Sequence, residues 1–116
     1  MPSTTSYRRG DIVLVSFPFT DHTATKSRPA LIVSPDSVNQ LTEDLILAAI
    51  TSQLADEEHS LRIQASDFLE GRLPKPSMIK LTKLFTIHSL LIRKKIAALS
   101  PTKMDEVLNQ MRKIFS

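Results

Sequence analysis

Apolar residues in this chain come in short runs separated by proline, glycine and polar clusters, and those runs set the predicted elements. Asp11 to Phe17 (Asp-Ile-Val-Leu-Val-Ser-Phe) is rich in β-branched and apolar side chains and predicts a strand. Arg9-Gly10 is a turn before it, and Pro18 ends it, because proline has no N–H to give to a ladder. Thr20 to Ser27 is polar without an apolar period and predicts an exposed loop. Pro29 opens a second strand, Ala30 to Ser34, and Pro35-Asp36-Ser37 predicts a turn with room for one helical turn after it. Leu45 to Thr51 is almost wholly apolar; it fits a central strand or a short buried helix, which periodicity alone does not separate. Gln53 to Ser60 reads as a charged loop, Leu61 to Ala65 as a weakly alternating strand, and Ser66 to Leu69 as one helical turn closed by Gly71. Pro74 and Pro76 bracket an extended lead into a strand at Ser77 to Leu81. Thr86 to Leu91 fits neither period, and Ile96 to Leu99 is a last short strand.

The end of the chain changes period. Ser100 is placed to cap a helix and Pro101 takes its first position, where a missing N–H is harmless. Met104, Val107, Leu108, Met111, Ile114 and Phe115 recur every three or four residues as one apolar stripe, with Lys103, Asp105, Glu106, Asn109 and Arg112 on the polar face. There is no internal repeat, low-complexity tract or linker, so residues 1–116 are expected to form a single domain. Five to seven short strands and one closing helix predict a mainly β fold with helices: a small, highly bent β-barrel with a C-terminal α-helix.

Composition narrows the chemistry. The chain lacks cysteine, which removes disulfides, thiolate metal sites and cysteine nucleophiles. No apolar run approaches the roughly 18 residues of a membrane span, and the polar start lacks a signal-peptide core, so a soluble cytoplasmic protein is expected. A chain this short buries only about two thirds of its unfolded surface, which favours association with a second copy. The net charge is only +3, but it is unevenly spread. Asp36 to Glu70 holds eight acidic residues and one basic, Arg62; Arg72 to Lys95 holds seven basic residues and no acidic one. That asymmetry suits a polyanion, or simply a solvated positive face.

With two glycines no phosphate loop can form, and His22, His59 and His88 are too far apart in sequence to suggest a metal site. Two segments are more informative. In Lys26-Ser27-Arg28-Pro29-Ala30-Leu31-Ile32-Val33, proline biases Arg28 toward an extended backbone where a polar loop meets an apolar strand. That guanidinium either points at whatever the loop covers or makes a surface ion pair. In Ala48-Ala49-Ile50-Thr51-Ser52-Gln53, an apolar strand ends in two hydroxyls and an amide, which either serve a site or satisfy free backbone groups.

Together these segments resemble the MazF/PemK family of bacterial toxin endoribonucleases. The resemblance is carried by Arg9-Gly10-Asp11-Ile12-Val13, by Ser27 to Val33 and by Ala49-Ile50-Thr51-Ser52. It continues through Ser77-Met78-Ile79, Leu84-Phe85-Thr86-Ile87, Ile96 to Ser100 and the helix from Met104 to Phe115. It implies an SH3-like bent barrel, a homodimer, a cognate antitoxin, and metal-independent cleavage of single-stranded RNA with no cofactor. It also implies catalytic roles for Arg28 and Thr51. Ser52, Gln53, Lys26, His22 and Lys80 are expected to contact substrate, and His22, whose type titrates near neutrality, is a candidate base. One departure stands out: members commonly carry a glycine-rich, glutamate-containing loop before Arg-Pro, whereas Asp21 to Lys26 here has neither residue. A gyrase-poisoning toxin on the same barrel and an inert binding module are the competing readings. The absence of tryptophan counts against the first, because such relatives use one near the C-terminus.

Overall fold

The computed structural model describes residues 7–17 and 26–116, the side chains of Phe17 and Lys26 excepted. Its strands are β1 (Asp11–Phe17), β2 (Lys26–Ile32), β3 (Asp44–Thr51), β4 (Ser60–Ile63), β5 (Phe68–Gly71), β6 (Ser77–His88) and β7 (Ile92–Leu99). Helix α1 (Asp36–Leu41) and helix α2 (Pro101–Ile114) complete it, with short 3-10 turns at Ala65–Asp67 and Ser89–Leu91. One sheet in the order β4-β6-β3-β2-β1-β7-β5 holds all seven strands, and every neighbouring pair is antiparallel.

That order forces curvature. β4 and β5 are the two edges of the sheet, yet only residues 64–67 separate them along the chain. Seven flat strands would hold their outer members about 29 Å apart. The five steps from Ile63 to Phe68 reach at most about 18 Å. The sheet is therefore curled into a half-barrel, as its strand-rich pattern predicted. Register shifts supply the bend: two between β1 and β7, one between β3 and β6, and one between β5 and β7.

Strand alternation divides the apolar residues between two cores. Ile12, Leu31, Ala48, Ile50, Ile79 and Leu99 fill the inside of the curl, where Met104 and Val107 of α2 close it. Val13, Val15, Ala30, Ile32, Leu45 and Leu47 face the other way, packed with Tyr7, Phe85 and Ile87. The apolar run at 45–51 is thus a central strand between β2 and β6, not a helix. Helix α2 begins as expected, with the Lys103 N–H donating to Ser100 Oγ at 3.2 Å.

Several expectations need correction. β2 starts at Lys26, ahead of Pro29, because β1 pairs with it from Lys26 to Leu31 whereas β3 pairs only from Ala30. Pro29 therefore sits where one side of the strand is unpaired and a missing donor is tolerated. The rest of the predicted 20–27 loop lies outside the described residues. The helical turn expected through Leu69 gives way at Phe68 to β5, a four-residue edge strand paired with β7 alone. β6 runs through the ambiguous 86–88 stretch, and the polar Thr82-Lys83 that interrupts its pattern lies in the bulge where Ala48 faces Leu84 and Ala49 faces Lys80. β7 begins at Ile92, its alternation hidden by exposed Arg93, Lys94 and Lys95 and two bulges. Finally, Lys103 is buried and not on the polar face: its Nζ donates to the Arg62 carbonyl at 2.7 Å and meets Glu106 at 3.1 Å and Asp67 at 3.4 Å.

Candidate active site

The site forms where two strands part. β2 and β3 pair through Ala30–Ala49, Leu31–Ala48 and Ile32–Leu47, and then stop. Carried further, the same register would set Pro29 against Ile50 and Arg28 against Thr51. A residue without an N–H gives no donor to prolong the ladder there. The strand ends instead border an open cleft of about 480 Å³, a size that suits a small-molecule or nucleotide-sized group. Ser27, Arg28 and Pro29 form one side, Ile50, Thr51, Ser52 and Gln53 a second, and Leu73, Pro74, Lys75 and Ser77 the third. The third side is stiffened by its two prolines and tied to β6, whose Ser77 hydroxyl donates to the Lys75 carbonyl at 2.9 Å. Met78, one residue on, is the partner of Thr51 across β3–β6, which fixes the distance between these walls.

The Thr51 hydroxyl is engaged on one side only. Its Oγ1 accepts the Gln53 N–H at 3.1 Å, so it does satisfy a backbone group at the strand end. A hydroxyl that accepts still has its own hydrogen to donate. The backbone bond thus orients Thr51, half-buried, without using up its donor. Arg93 Nη1 donates to Ser27 Oγ at 3.2 Å and adds a second guanidinium beside the cleft. Among the described residues, the lining contains two cations, four hydroxyls and one amide, and no carboxylate or imidazole. Such a wall stabilises an anion, and it gives a divalent cation no carboxylate ligands. No cluster of three or more metal-ligating side chains occurs among the described residues.

Of the predicted site residues, Arg28, Thr51, Ser52 and Gln53 are brought together. Lys80 is not among the lining; it is mostly buried one strand farther across and pairs with Glu57 at 3.4 Å. Lys26 is placed at the start of β2 by its backbone alone, and His22 lies outside the described residues. His59, at a positive φ of 65°, and His88, whose Nδ1 accepts the Leu90 N–H, have local roles away from the cleft. Lys75 and Ser77 line the cleft and Arg93 borders it, and the sequence alone points to none of the three. The one signal for Lys75 is its place between Pro74 and Pro76 in the basic half of the chain.

A small curled β-sheet closed by a C-terminal helix, with a guanidinium and a hydroxyl meeting at a gap between strands, defines the class. The profile of the family described as “PemK-like, MazF-like toxin of type II toxin-antitoxin system” matches residues 8–115, and the chain belongs to that family. A relative named “Endoribonuclease MazF”, from Staphylococcus saprophyticus, is 31% identical over 105 residues, covering 88% of this chain and 85% of the relative. A MazE–MazF crystal structure from Deinococcus radiodurans superposes with a TM-score of 0.79 at 17% identity, covering 96% of each chain. A mycobacterial endoribonuclease in complex with its cognate antitoxin superposes with a TM-score of 0.78 at 15% identity, covering 95% of each. At those identities the superpositions establish the shared fold. No helix among the described residues is long and apolar enough to cross a membrane.

Proposed function

We propose that this toxin is an endoribonuclease that cuts single-stranded RNA without a metal ion, acts in the cytoplasm as a homodimer, and is held inactive by a cognate antitoxin. The observation that carries the reading is the meeting of Arg28 and Thr51, remote in sequence, on one cleft lined by cations and hydroxyls. Family membership and the endoribonuclease relative support the same class of reaction.

In this reaction the 2′-hydroxyl of one nucleotide attacks the neighbouring phosphorus and loses its proton. The bond from phosphorus to the 5′-oxygen breaks, and that oxygen takes up a proton as it leaves. The ends are a 2′,3′-cyclic phosphate and a 5′-hydroxyl. Negative charge builds on the non-bridging oxygens as phosphorus becomes pentacoordinate. Arg28 meets two of these oxygens with its planar fork, and Thr51 donates its hydroxyl to one of them. A single donor of this kind contributes about 3 kcal/mol to the transition state. Ser52 and Gln53 hold the flanking sugar and base edge, and Lys75 adds long-range attraction for the phosphate chain. His22 is the proposed acceptor of the 2′-hydroxyl proton, since the protonated Arg28 guanidinium has no lone pair to offer.

The test is direct. A long single-stranded RNA is incubated with the purified protein in EDTA and the cut ends are mapped. Cleavage with cyclic-phosphate ends is expected, and Arg28→Ala is expected to lose it by at least about 100-fold while melting like the parent. Cleavage that requires Mg²⁺, or an Arg28→Ala protein that cuts at the parental rate, refutes the mechanism.

A further inference from the structure

Resting on the nuclease reading above, we infer that the substrate strand continues from the cleft across Lys75 into a second hollow, where Arg72, Lys75 and Leu69 hold nucleotides flanking the cut. The second hollow, about 700 Å³, lies beside β5 and the segment that leads to β6. It shares Leu73, Pro74, Lys75 and Ser77 with the cleft as a common border, so a chain leaving one enters the other. The border is a proline-stiffened segment, which holds the two hollows in fixed relation.

Its surface fits a single strand. Arg72 and Lys75 are exposed, and neither forms an ion pair among the described residues. Glu70 is the only carboxylate in the lining, and it is already paired with Lys95. The hollow therefore presents two uncompensated cations. The same lining carries apolar surface: Leu69 is 68% exposed, and Phe68 packs against the inner core. Cations for phosphates beside apolar surface for a base face are what a single-strand groove requires.

The experiment first maps a cut site on a long RNA, then uses two oligonucleotides around it, one of about five nucleotides and one of about twelve. Each carries a 2′-deoxy sugar at the scissile step, so binding is measured without cleavage. The parent is expected to bind the longer oligonucleotide more tightly. In Arg72→Ala/Lys75→Ala, that advantage is expected to shrink by about three-fold per side chain at 0.15 M salt. The salt slope for the longer strand should fall by about 0.7 per cation removed. Leu69→Ala is expected to weaken the longer strand by a factor that persists at high salt, as loss of an apolar contact does. Melting curves confirm that these exposed substitutions leave the fold intact. A parent that cuts RNA while the length advantage and salt slope are unchanged in the variants refutes the second hollow alone. Variants that lose antitoxin binding but keep parental RNA binding reassign it to that protein. A parent that neither cuts nor binds RNA refutes the nuclease reading and the extension with it.

Discussion

Thr51→Val separates the two uses of one hydroxyl. Valine keeps the shape of threonine and its strand preference, so β3 and its pairing to Met78 are retained. What is lost is Oγ1. Its hydrogen bond to the Gln53 N–H lies at an exposed chain segment where water can replace the partner, so stability should fall by only about 0.5–1 kcal/mol. Loss of the donor proposed to meet the pentacoordinate phosphorane should cost about 3 kcal/mol and slow cleavage by roughly two to three orders of magnitude. Thr51→Ser restores the hydroxyl and should recover most of the rate. The assay pairs initial cleavage rates on a defined RNA with urea unfolding of the same samples. A Thr51→Val protein within three-fold of the parental rate, but less stable, would leave the hydroxyl as a strand-end cap and remove it from catalysis.

Three further outcomes are expected. Lys103→Ala strips a buried alkyl stem and its bond to the Arg62 carbonyl, a loss of about 2–4 kcal/mol, and Lys103→Met should lose less because the stem stays buried; thermal unfolding checks both. Gly71→Ala should destabilise by at least about 2 kcal/mol, since φ is +69° and the added Cβ would overlap the Ile96 carbonyl; native yield and melting temperature report it. The Lys95 ammonium is held above its ordinary 10.5 chiefly by its hydrogen bond to Glu70; burial opposes this, and the Asp11 carboxylate adds to the rise. Its contribution is thus complete below pH 10.5 and fades as pH rises past that value, so Lys95→Met should flatten the alkaline fall in unfolding free energy, by less than about 1 kcal/mol at this partly exposed site.

Where one physical signal dominates, the sequence is easy to read. β1 carries a dense β-branched and apolar run, and α2 carries a cap, a proline and a stripe, so both can be assigned from composition and period, whereas the apolar run of β3 fits strand and buried helix alike until its pairing with β2 and β6 decides it. β5 and β7 are obscured because their residues are exposed, paired on a bulged ladder, or both, and a bulge breaks the two-residue period on which such reading depends. The buried state of Lys103 is invisible for a different reason. Its three partners come from β4, the 3-10 turn and the next turn of α2, and only the tertiary arrangement brings them together. In the cleft, Arg28 and Thr51 stand out by their neighbours Pro29 and Ser52, whereas Lys75 belongs to a segment with no period and gains its place only when β6 pairs with β3.

β1 lies between β2 and β7, and its β7 partners sit far along the chain: Asp11 faces Ala98 and Ile12 faces Ala97. A ribosome delivers Val13 and Val15 long before it delivers Arg93 to Leu99. Throughout that interval one whole side of β1 presents bare amides and carbonyls, the kind of template that recruits foreign strands. A chain terminated before Ile92 would therefore be an adhesive fragment, not a weakened toxin, and the nascent polypeptide has reason to be shielded until its final strand emerges.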